Sequence, residues 1–468
     1  MEILTSESLA AVILAAGQGT RMKSDLSKVL HPVAGKPMVR YPVEIARALG
    51  CQPTVVVVGH GAEAVRAALA DAEVSCAHQA EQLGTGHALL SARAELADFT
   101  GTLLLLCGDV PLLRLETVER LLAYHHSQQA ATTILTAELA DPYGYGRIVR
   151  EGEEVLRIVE EKDATAKEKA LREINTGIYA FEAPFVFEAL STVGRDNAQG
   201  EYYLTDVVAA ARAAGRKVCA LTTADPEETL GINDRVQLAH AATVQRRRIN
   251  RALMLGGVTL SDPQTAYIED GVRIGTDTVI EPGVHLRGAT VIGRRCRVEP
   301  GVVITDCVIG DDAHIKAGSV LAESTLGDHC AIGPMAHLRP GTVLAGHNKL
   351  GNFVETKKAI LGEKSQASHL TYIGDAEIGR GVNIGCGTIT CNYDGVNKHK
   401  TVIEDDVFVG SDTQFVAPVR IGRNSLIGAG STITRDVPPD SLALSRTEQK
   451  IIPGWRLRKR EPKGSKSE

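Results

Sequence analysis

Residues 274–304 read IGTDTVIEPGVHLRGATVIGRRCRVEPGVVI and carry an aliphatic residue at every sixth position. The period slips by one residue after Ile304 and again after Leu321, and it then continues to Leu350. The six-spaced residues of this stretch are Ile274, Ile280, Leu286, Ile292, Val298, Ile304, Ile309, Ile315, Leu321, Leu326, Ile332, Leu338, Leu344 and Leu350. A later run is formed by Val409, Phe415, Ile421, Ile427 and Ile433. A period of six fits neither the 3.6-residue turn of an α-helix nor the simple alternation of a half-buried strand.

This period predicts a parallel β-helix, in which each short strand sends one aliphatic side chain inward before a turn. We expect the left-handed form, with three repeats and about 18 residues in each coil. The alternative is a β-sandwich with short strands, but sandwich turns recur less regularly, about every 8–12 residues. The stretch 385–401 breaks the period and predicts a loop.

The N-terminal half has a different pattern. Apolar runs at residues 10–16, 54–58 and 102–107 alternate with helical stretches at 41–49, 62–70 and 116–126. Such alternation predicts an α/β domain of Rossmann type, with a mostly parallel sheet covered by helices on both faces. Ligands of such sheets lie beyond the carboxyl ends of the strands.

We therefore divide the chain into an α/β domain at 1–235, a linker helix at 236–256 and the β-helix domain at 257–468. The arginines of the linker helix are interpreted as a solvated face or a packing surface. The tail from Trp455 is basic, and we expect its end to be mobile. Contact of this tail with a membrane or nucleic acid is a weaker alternative.

The composition and net charge argue against a nucleic-acid-binding or membrane-spanning protein. A hydrophobic content of 44% supports large cores, and a net charge of −6 gives no general attraction to nucleic acid or anionic membranes. No apolar run approaches the roughly 18 residues of a membrane span. The nine cysteines show no pairing pattern, which favours reduced thiols in the cytoplasm.

A glycine-rich segment follows the first apolar run. It reads LAAGQGTRM at residues 14–22. Gly17 and Gly19 let the backbone approach a ligand, and Arg21 and Lys28 add positive charge. The segment predicts a phosphate cradle, although its spacing matches neither the Walker loop nor the dinucleotide fingerprint.

This segment resembles the loop G-x-G-T-R-M of the sugar-nucleotide pyrophosphorylases, which also has a lysine shortly after it. QAEQLGTGHA at residues 79–88 is similar to the segment with which that family reads the nucleobase, and the match implies that Gln79, Gly84 and Thr85 select uracil. LLCGDVP at residues 105–111 ends in Asp109, which the resemblance implies to be a Mg²⁺ ligand.

Three further segments resemble the family's sugar-binding segments: GYGRI at 144–148, VEEKDAT at 159–165 and EINTGIY at 173–179. GINDRVQL at 231–238 places Asn233 where the family has a second Mg²⁺ ligand. The residues implied to bind UTP or the nucleotide sugar are Leu14, Ala15, Ala16, Gly17, Arg21, Lys28, Gln79, Gly84, Thr85, Cys107, Gly108, Asp109, Gly146, Glu160, Asn175 and Asn233, with Thr176 as a further candidate.

The C-terminal half contains RPGTVLAGHNKLGNFVETKKAILG, SHLTYIGDAEIG and CNYDGVNKHKT. These strings resemble the bifunctional bacterial enzymes that are both glucosamine-1-phosphate N-acetyltransferases and N-acetylglucosamine-1-phosphate uridyltransferases. The resemblance covers nearly the whole chain and implies synthesis of UDP-N-acetylglucosamine, a cell-wall precursor, from glucosamine 1-phosphate, acetyl-CoA and UTP with Mg²⁺. It also implies a homotrimer with acetyl sites between subunits.

The acetyl step needs a base near neutral pH, and histidine suits that role. His369 matches the family's base, and Glu355 is expected to orient its imidazole. The residues implied to bind the sugar phosphate are Arg339, Lys357, Tyr372 and Asn383. Those implied to bind acetyl-CoA are Cys386, Asn392, Tyr393, Ser411, Ala429 and Arg446.

The chain departs from the family pattern at Cys386, where we expect a small residue such as alanine beside the acetyl group. Cys107 occupies a variable position at the uridyl site. Two alternatives keep the fold without the acetyl chemistry: a uridyltransferase with a structural β-helix, and a regulatory subunit. Such chains are expected to lose Asp109, Arg21, Lys28 or His369, and all four are present.

Overall fold

The computed structural model describes residues 8–458. Residue contacts divide the chain into two compact units, Met1–Ile249 and Asn250–Glu468. The division falls inside one helix, Arg235–Leu255, at the position where the sequence predicts a linker helix. The end of the basic tail, from Lys459 onward, lies outside the described residues. Within residues 8–458, no helix is both long enough and apolar enough to span a membrane.

Within its described residues, 8–249, the first unit contains eleven strands and seven complete α-helices, and an eighth helix begins in it and crosses into the second unit. The strands are β1 (Leu9–Ala15), β2 (Pro32–Val33), β3 (Lys36–Pro37), β4 (Thr54–Val58), β5 (Ser75–His78), β6 (Thr102–Cys107), β7 (Thr132–Glu138), β8 (Arg147–Glu151), β9 (Glu154–Val159), β10 (Glu173–Glu182) and β11 (Val218–Thr222). The helices are α1 (Arg40–Ala48), α2 (Ala62–Ala68), α3 (Thr85–Ser91), α4 (Leu115–Gln128), α5 (Ala166–Lys169), α6 (Ala183–Thr192), α7 (Asp206–Ala213) and α8 (Arg235–Leu255). Short 3₁₀ helices lie at Thr20–Met22, Lys28–Leu30, Arg93–Leu96 and Pro226–Thr229.

The main sheet has the strand order β11-β7-β10-β6-β1-β4-β5, and β8 and β9 extend it from β10. The pairs β1–β4, β1–β6, β4–β5 and β7–β11 are parallel, whereas β10 runs antiparallel to β6 and β7. The predicted mostly parallel sheet is therefore confirmed, with one reversed strand near its centre.

Alternate residues of the central strands point to opposite faces of this sheet, because side chains in a strand have a period of two. Ala10 and Val12 pack with residues of α3, α6 and α7 on one face. Ala11 and Ile13 pack with residues of α1, α2 and α4 on the other. The sheet is thus covered on both faces, as predicted, and its central strands β1, β4 and β6 are almost wholly buried.

Strands β6, β1, β4 and β5 are parallel neighbours, so their carboxyl ends meet at one edge of the sheet. The glycine-rich loop follows β1, Gln79 follows β5, and Asp109 follows β6. This topology brings the three predicted nucleotide-binding segments to the same edge, where open α/β sheets bind their ligands.

The second unit is built almost wholly of short parallel strands. The strands are β12 (Thr259–Leu260), β13 (Tyr267–Ile268), β14 (Arg273–Ile274), β15 (Val279–Ile280), β16 (His285–Arg287), β17 (Val291–Ile292), β18 (Arg297–Val298), β19 (Val303–Thr305), β20 (Val308–Ile309), β21 (His314–Ile315), β22 (Val320–Ala322), β23 (Thr325–Leu326), β24 (Ala331–Ile332), β25 (His337–Leu338), β26 (Val343–Leu344), β27 (Lys349–Leu361), β28 (Gln366–Ile378), β29 (Asn383–Ile384), β30 (Ile389–Cys391), β31 (Thr401–Ile403), β32 (Phe408–Val409), β33 (Gln414–Val416), β34 (Val419–Ile421), β35 (Leu426–Ile427), β36 (Thr432–Ile433) and β37 (Leu442–Ala443). A last short helix, α9, follows at Trp455–Arg458.

Through most of this unit, each strand pairs in parallel with the strand three positions later, which is the signature of a three-faced coil. Ile274 pairs with Ile292 and Ile292 with Ile309, so these two coils are 18 and 17 residues long. The long strands β27 and β28 run side by side across all three faces. The predicted parallel β-helix is confirmed, and the one-residue slips in the period are its shorter coils.

Nearly all of the six-spaced aliphatic residues point into the β-helix. From Ile280 to Leu350 and from Val409 to Ile433 they are buried, and only Ile274, near the start of the coil, is half-buried. The interior is thus a stack of Ile, Val and Leu side chains, in agreement with the low aromatic content.

One turn of each coil has a left-handed residue, and we call the stack of these turns corner A. Its left-handed residues are Gly283, Gly301, Gly318, Met335, Phe353, Leu370, Gly387, Asp412 and Gly430. Bulky residues rarely adopt a positive φ, yet three consecutive coils place Met335, Phe353 and Leu370 there. Such strain is tolerated where neighbouring structure fixes the backbone, and it often marks functional sites.

The loop predicted at 385–401 begins later than the sequence indicated. Strand β30 lies inside that stretch and pairs with β33, and the true excursion begins after Cys391. Ala376 pairs with Thr401, so this coil is 25 residues long. Thr390 takes the inward position, where its hydroxyl donates to the Gly374 carbonyl at 3.0 Å. A threonine inside the coil is invisible to a search for aliphatic residues.

Candidate functional sites

The first site lies at the carboxyl edge of the α/β sheet. Lys28 Nζ donates to Asp109 Oδ2 at 2.5 Å and to Asn233 Oδ1 at 3.2 Å. Gly19 has a positive φ, and a Cβ there would lie 2.5 Å from Lys28 Cβ. Glycine at this position therefore lets the loop close over Lys28, while Gly17 and Arg21 remain exposed.

Asp109 and Asn233 are 124 positions apart in sequence, but their oxygens converge on a single ammonium group. The amide of Ile232 donates to the Asp109 carbonyl at 3.0 Å, which holds the two segments together. One carboxylate and one amide oxygen fit Mg²⁺, because that ion keeps several waters and completes its shell with substrate phosphates. The two predicted metal ligands are thus close enough to share one cation.

The segment after β5 is held in place by side-chain hydrogen bonds and by a turn at Gly84. Gln79 is buried, and its Nε2 donates to the Gly84 carbonyl at 3.2 Å. Gly84 has a φ of +105°, and a Cβ there would lie 2.7 Å from the Tyr202 carbonyl oxygen. Only glycine fits this turn. Gln82 Nε2 donates to the Ala16 carbonyl at 2.7 Å, which ties the segment to the phosphate loop.

The predicted sugar-binding residues form a second group beside the first. A Cβ on Gly146 would lie 3.4 Å from Glu160 Oε2 and 3.6 Å from Asn175 Cβ. Burial raises the pKa of Glu160, although its Oε1 accepts a hydrogen bond from Thr205 at 3.2 Å. Gly146, Glu160 and Asn175 therefore lie together.

Two residues near this group are directed into the protein. Thr176 is buried, and its hydroxyl donates to the Leu135 carbonyl at 2.7 Å. Its role as a further sugar contact therefore has less support than that of Asn175. Cys107 Sγ donates to the Gly177 carbonyl at 3.4 Å, and burial raises the pKa of this thiol to about 12.

The second site lies along corner A of the β-helix. His369 directly precedes the left-handed Leu370, and three later coils place Cys386, Ser411 and Ala429 in the same column. The backbone hydrogen bonds that join these coils run from Gly387 N to Leu370 O, from Asp412 N to Cys386 O and from Gly430 N to Ser411 O. Arg446 ends the column, with Nη2 3.4 Å from a Cβ built on Gly428. Four coils separate His369 from Arg446, or roughly 20 Å at about 4.8 Å per coil.

The hydrogen bonds of the catalytic candidates differ from expectation. Glu355 Oε1 accepts from Arg339 Nη1 at 2.8 Å rather than from His369. The His369 ring instead contacts Asn352, with Nδ1 and Oδ1 2.7 Å apart. The reason is register: Asn352 pairs with His369, whereas Glu355 pairs with Tyr372, three positions further along the strand.

Cations gather on the same face of the coil. Arg339 lies one coil before Lys357, because its amide donates to the Thr356 carbonyl. Contact with the Lys398 side chain, and then its positive charge, lowers the pKa of Lys357. Arg339 also acts electrostatically on Lys357, so three cationic groups lie close enough to influence one another. Such a cluster suits an anionic group such as a phosphate.

The remaining acetyl-site candidates are also fixed by neighbours. Asn383 Oδ1 accepts from Gln366 at 3.0 Å, and Asn392 Nδ2 donates to Asp375 at 2.5 Å. Tyr393 is exposed, and its hydroxyl donates to the Gly395 carbonyl in the excursion after Cys391.

Curated relatives resemble the chain over almost its whole length. The Bifunctional protein GlmU of Syntrophotalea carbinolica is 70% identical over 452 residues, which cover 97% of both chains. That of Pelobacter propionicus is 60% identical and covers 97% of this chain and 99% of the relative. The chain belongs to the bifunctional GlmU family. It is therefore an enzyme of UDP-N-acetylglucosamine synthesis with acetyltransferase and uridyltransferase activities.

Family models agree with this GlmU architecture. The MobA-like NTP transferase domain matches residues 11–174. The GMPPB C-terminal domain matches 265–373, and the bacterial transferase hexapeptide (six repeats) matches 400–435. A solved UDP-glucose pyrophosphorylase complexed with UDP-glucose is 19% identical, with a TM-score of 0.42, and covers 52% of this chain and 99% of that one.

Sequence reasoning missed three residues that contact the predicted GlmU site residues: Asn352, Lys398 and Gln82. Asn352 and Lys398 lie within the motifs NFVETKK and CNYDGVNKHKT, so the sequence marks their neighbourhood. Their contacts depend on which residues face each other on successive coils. That register became visible only in the structure.

Proposed function

We propose that the carboxyl edge of the α/β sheet is the uridyl site, where an oxygen of N-acetylglucosamine 1-phosphate attacks the α-phosphorus of UTP and pyrophosphate leaves. The observation that carries this assignment is the convergence of Asp109 and Asn233 on Lys28. Loop amides and Arg21 would hold the triphosphate, and Gln79 and Gly84 would frame the uracil. The nucleophile is already anionic, so positioning and charge neutralisation suffice, and no general base is needed.

The metal of this site would be Mg²⁺, held by Asp109 and Asn233. When bound, the ion supplies neutralisation of phosphate charge. Lys28 Nζ contacts the same two oxygens, so its ammonium would lie beside the ion and neutralise a phosphate. Gly146, Glu160 and Asn175 would orient the sugar.

We further propose that corner A and the adjoining face form the acetyl site. Arg339, Lys357 and Lys398 would grip the phosphate of glucosamine 1-phosphate. His369 would take a proton from the sugar amine as the nitrogen attacks the thioester carbon, and the thiolate of coenzyme A would leave. The coenzyme would extend along the column of Cys386, Ser411 and Ala429 toward Arg446, where a phosphate could be bound.

The acetyl site is proposed to be completed in a homotrimer. On corner A, Met335, Phe353 and Leu370 are each more than half exposed. On the face leading into that corner, Phe408 pairs with Leu426 and Leu426 with Leu442, and all three are exposed. Contiguous apolar surface of this kind usually covers a partner, and a second and third copy of the chain would cover it here.

The test of the two-site assignment is a pair of variants. Asp109→Ala should abolish pyrophosphate release from UTP and N-acetylglucosamine 1-phosphate while acetyl-CoA-dependent thiol release stays near wild type. His369→Ala should do the reverse, and EDTA should stop only the uridyl step. Loss of both activities in either folded variant would contradict two separate sites.

The competing assignment is a uridyltransferase with a purely structural β-helix. It predicts pyrophosphate release without any thiol release from the wild-type chain. Purified protein with glucosamine 1-phosphate, acetyl-CoA, UTP and Mg²⁺, with both products measured, decides between them.

A further inference from the structure

The imidazole of His369 has one side-chain partner on the preceding coil, and it is an amide. Nδ1 of His369 and Oδ1 of Asn352 are 2.7 Å apart. An amide oxygen can only accept a hydrogen bond, so Nδ1 must carry the proton. The neutral ring then keeps the lone pair on Nε2, which is the form that can accept a proton from an amine.

The backbone fixes both partners of this contact. Asn352 and His369 are paired residues of β27 and β28, which run in register along their length. Each is followed by a left-handed residue, Phe353 or Leu370, so both side chains leave the coil at the same point of corner A. A Cβ on Gly351 would lie 1.9 Å from the Ser368 carbonyl oxygen, which shows how closely the two strands approach here.

Glu355 does not compete for the ring. Its carboxylate is paired with Arg339, and its partner in register is Tyr372. The other titratable residue beside His369 in the column is Cys386, on the following coil. No acid that the structure describes donates to or accepts from the ring at Nδ1, so the orienting group is neutral.

We propose that Asn352 is the positioning residue of the acetyltransferase base: it holds His369 in the tautomer with Nε2 free and aims that nitrogen at the sugar amine. This assignment rests on the proposed role of His369. A neutral acceptor orients the ring and stabilises its protonated form less than a carboxylate would, which suits a base that must be unprotonated before each turnover.

The test begins with Asn352→Ala, assayed for thiol release with glucosamine 1-phosphate and acetyl-CoA. General bases contribute about 10²–10⁴-fold to rate, so loss of orientation should lower kcat about ten- to hundredfold with little change in either KM. The circular dichroism spectrum serves as the folding control for the β-helix, and pyrophosphate release should not change, because the proposed uridyl site lies in the other unit. Unchanged kcat in Asn352→Ala, with His369→Ala inactive, would overturn the proposal but not the base.

Asn352→Asp separates positioning from a structural role. A carboxylate is nearly isosteric and still accepts from Nδ1, so activity should largely return at high pH. Its charge stabilises the imidazolium, and the acid limb of the kcat/KM profile should therefore move to higher pH. The matched Glu355→Gln variant should leave that limb in place. A shift in Glu355→Gln with none in Asn352→Asp would restore the glutamate as the orienting group.

A double variant tests whether Asn352 acts through His369. If Asn352 acts through His369, the Asn352→Ala/His369→Ala chain should be no less active than His369→Ala alone. Additive losses would show that Asn352 supports the fold or contacts substrate independently. Inactivity of the wild-type chain would count against the proposed acetyl site itself, an outcome distinct from both.

Discussion

Two cysteines lie beside the proposed sites, and their environments predict different reactivity. Burial raises the pKa of Cys107 to about 12, so almost none of it is thiolate at neutral pH. Cys386 is only half-buried and lies between His369 and Ser411 on corner A. An alkylating reagent should therefore inhibit acetyl transfer through Cys386 and spare the uridyl step, and acetyl-CoA should protect.

Cys386→Ala should stay active and become resistant to the reagent, whereas Cys107→Ala should remain as sensitive as wild type. The measurement is residual thiol release and pyrophosphate release after timed alkylation. Continued sensitivity of Cys386→Ala would move the reactive thiol elsewhere, and Cys391 is the next candidate.

Lys357 and Lys398, in the proposed acetyl site, predict how the KM for glucosamine 1-phosphate changes with pH. Lys398 lowers the pKa of Lys357, so Lys357 loses its charge at a lower pH than an isolated lysine would. Its hold on a phosphate should weaken correspondingly early as pH rises. In Lys398→Gln the like charge is gone, and the alkaline rise in KM for glucosamine 1-phosphate should move to higher pH.

The measurement is KM between about pH 7 and 10, a range that brackets a lowered lysine pKa. Lys398→Gln should also raise KM at every pH, because one phosphate-binding cation is lost. The neighbouring Lys358→Gln is the matched control, and its alkaline limb should not move. If the alkaline rise in KM stayed at the same pH in Lys398→Gln, the ammonium groups of Lys357 and Lys398 would not be coupled in solution.

Single residues were predictable from sequence where a motif defines them, and not where a contact does. Asp109, Asn233 and Lys28 were expected to act on one triphosphate, and the structure brings all three together. Glu355, in the motif NFVETKK, was expected to orient the imidazole of His369. The structure places Asn352 beside His369 because the two residues are 17 positions apart, which is the length of this coil. Since coil length varies along the chain, the sequence alone does not show which residues face each other.

At the scale of the element, each short strand of the β-helix contributes one inward residue. Ile309 is 2% exposed and its neighbour Val308 is 51% exposed on the same strand, β20. Ile309→Ala should destabilise the β-helix by about 2–5 kcal/mol. Val308→Ala should fall within about 0.5 kcal/mol of wild type.

The readout is the urea midpoint at which acetyl transfer is lost, since the chain has two units and its global unfolding need not be two-state. The uridyl midpoint serves as an internal reference and should not change in either variant. Equal losses for Ile309→Ala and Val308→Ala would contradict the inward and outward assignment.

The strands were predictable from sequence because the coil repeats one packing rule. The six-residue period, with its one-residue slips, correctly predicted the inward-facing residues of the β-helix from Ile280 to Leu350. It failed between Leu350 and Val409, where the inward positions include Thr356 and Thr390, each buried and hydrogen-bonded inside the coil. In the α/β unit the parallel strands were evident from their apolar runs, but the reversal of β10 leaves no comparable mark in the sequence.

At the scale of the whole molecule, the chain joins two catalysts of different construction. The proposed uridyl site is assembled from loops at one sheet edge, whereas the proposed acetyl site is a column repeated along a coil. Loops can approach residues far apart in sequence, as Asp109 and Asn233 do. A coil instead offers positions about 4.8 Å apart in a line, which suits an extended coenzyme.

The proposed homotrimer can be tested at corner A. Met335 is 54% exposed on corner A and has a φ of +52°. A charge there would be placed in the proposed interface, so Met335→Glu should weaken the trimer and lower acetyl transfer while uridyl transfer persists. Sedimentation velocity should show wild type at about three times the 49.8 kDa chain mass.

Thr325→Glu is the matched control. It places the same charge at an exposed residue of β23, on another face of the β-helix, and should remain trimeric and active. A monomeric wild-type protein, or a Met335→Glu variant that stays trimeric with full activity, would remove corner A from the interface. Loss of the trimer with acetyl transfer intact would instead show that each chain carries a complete site along its own column.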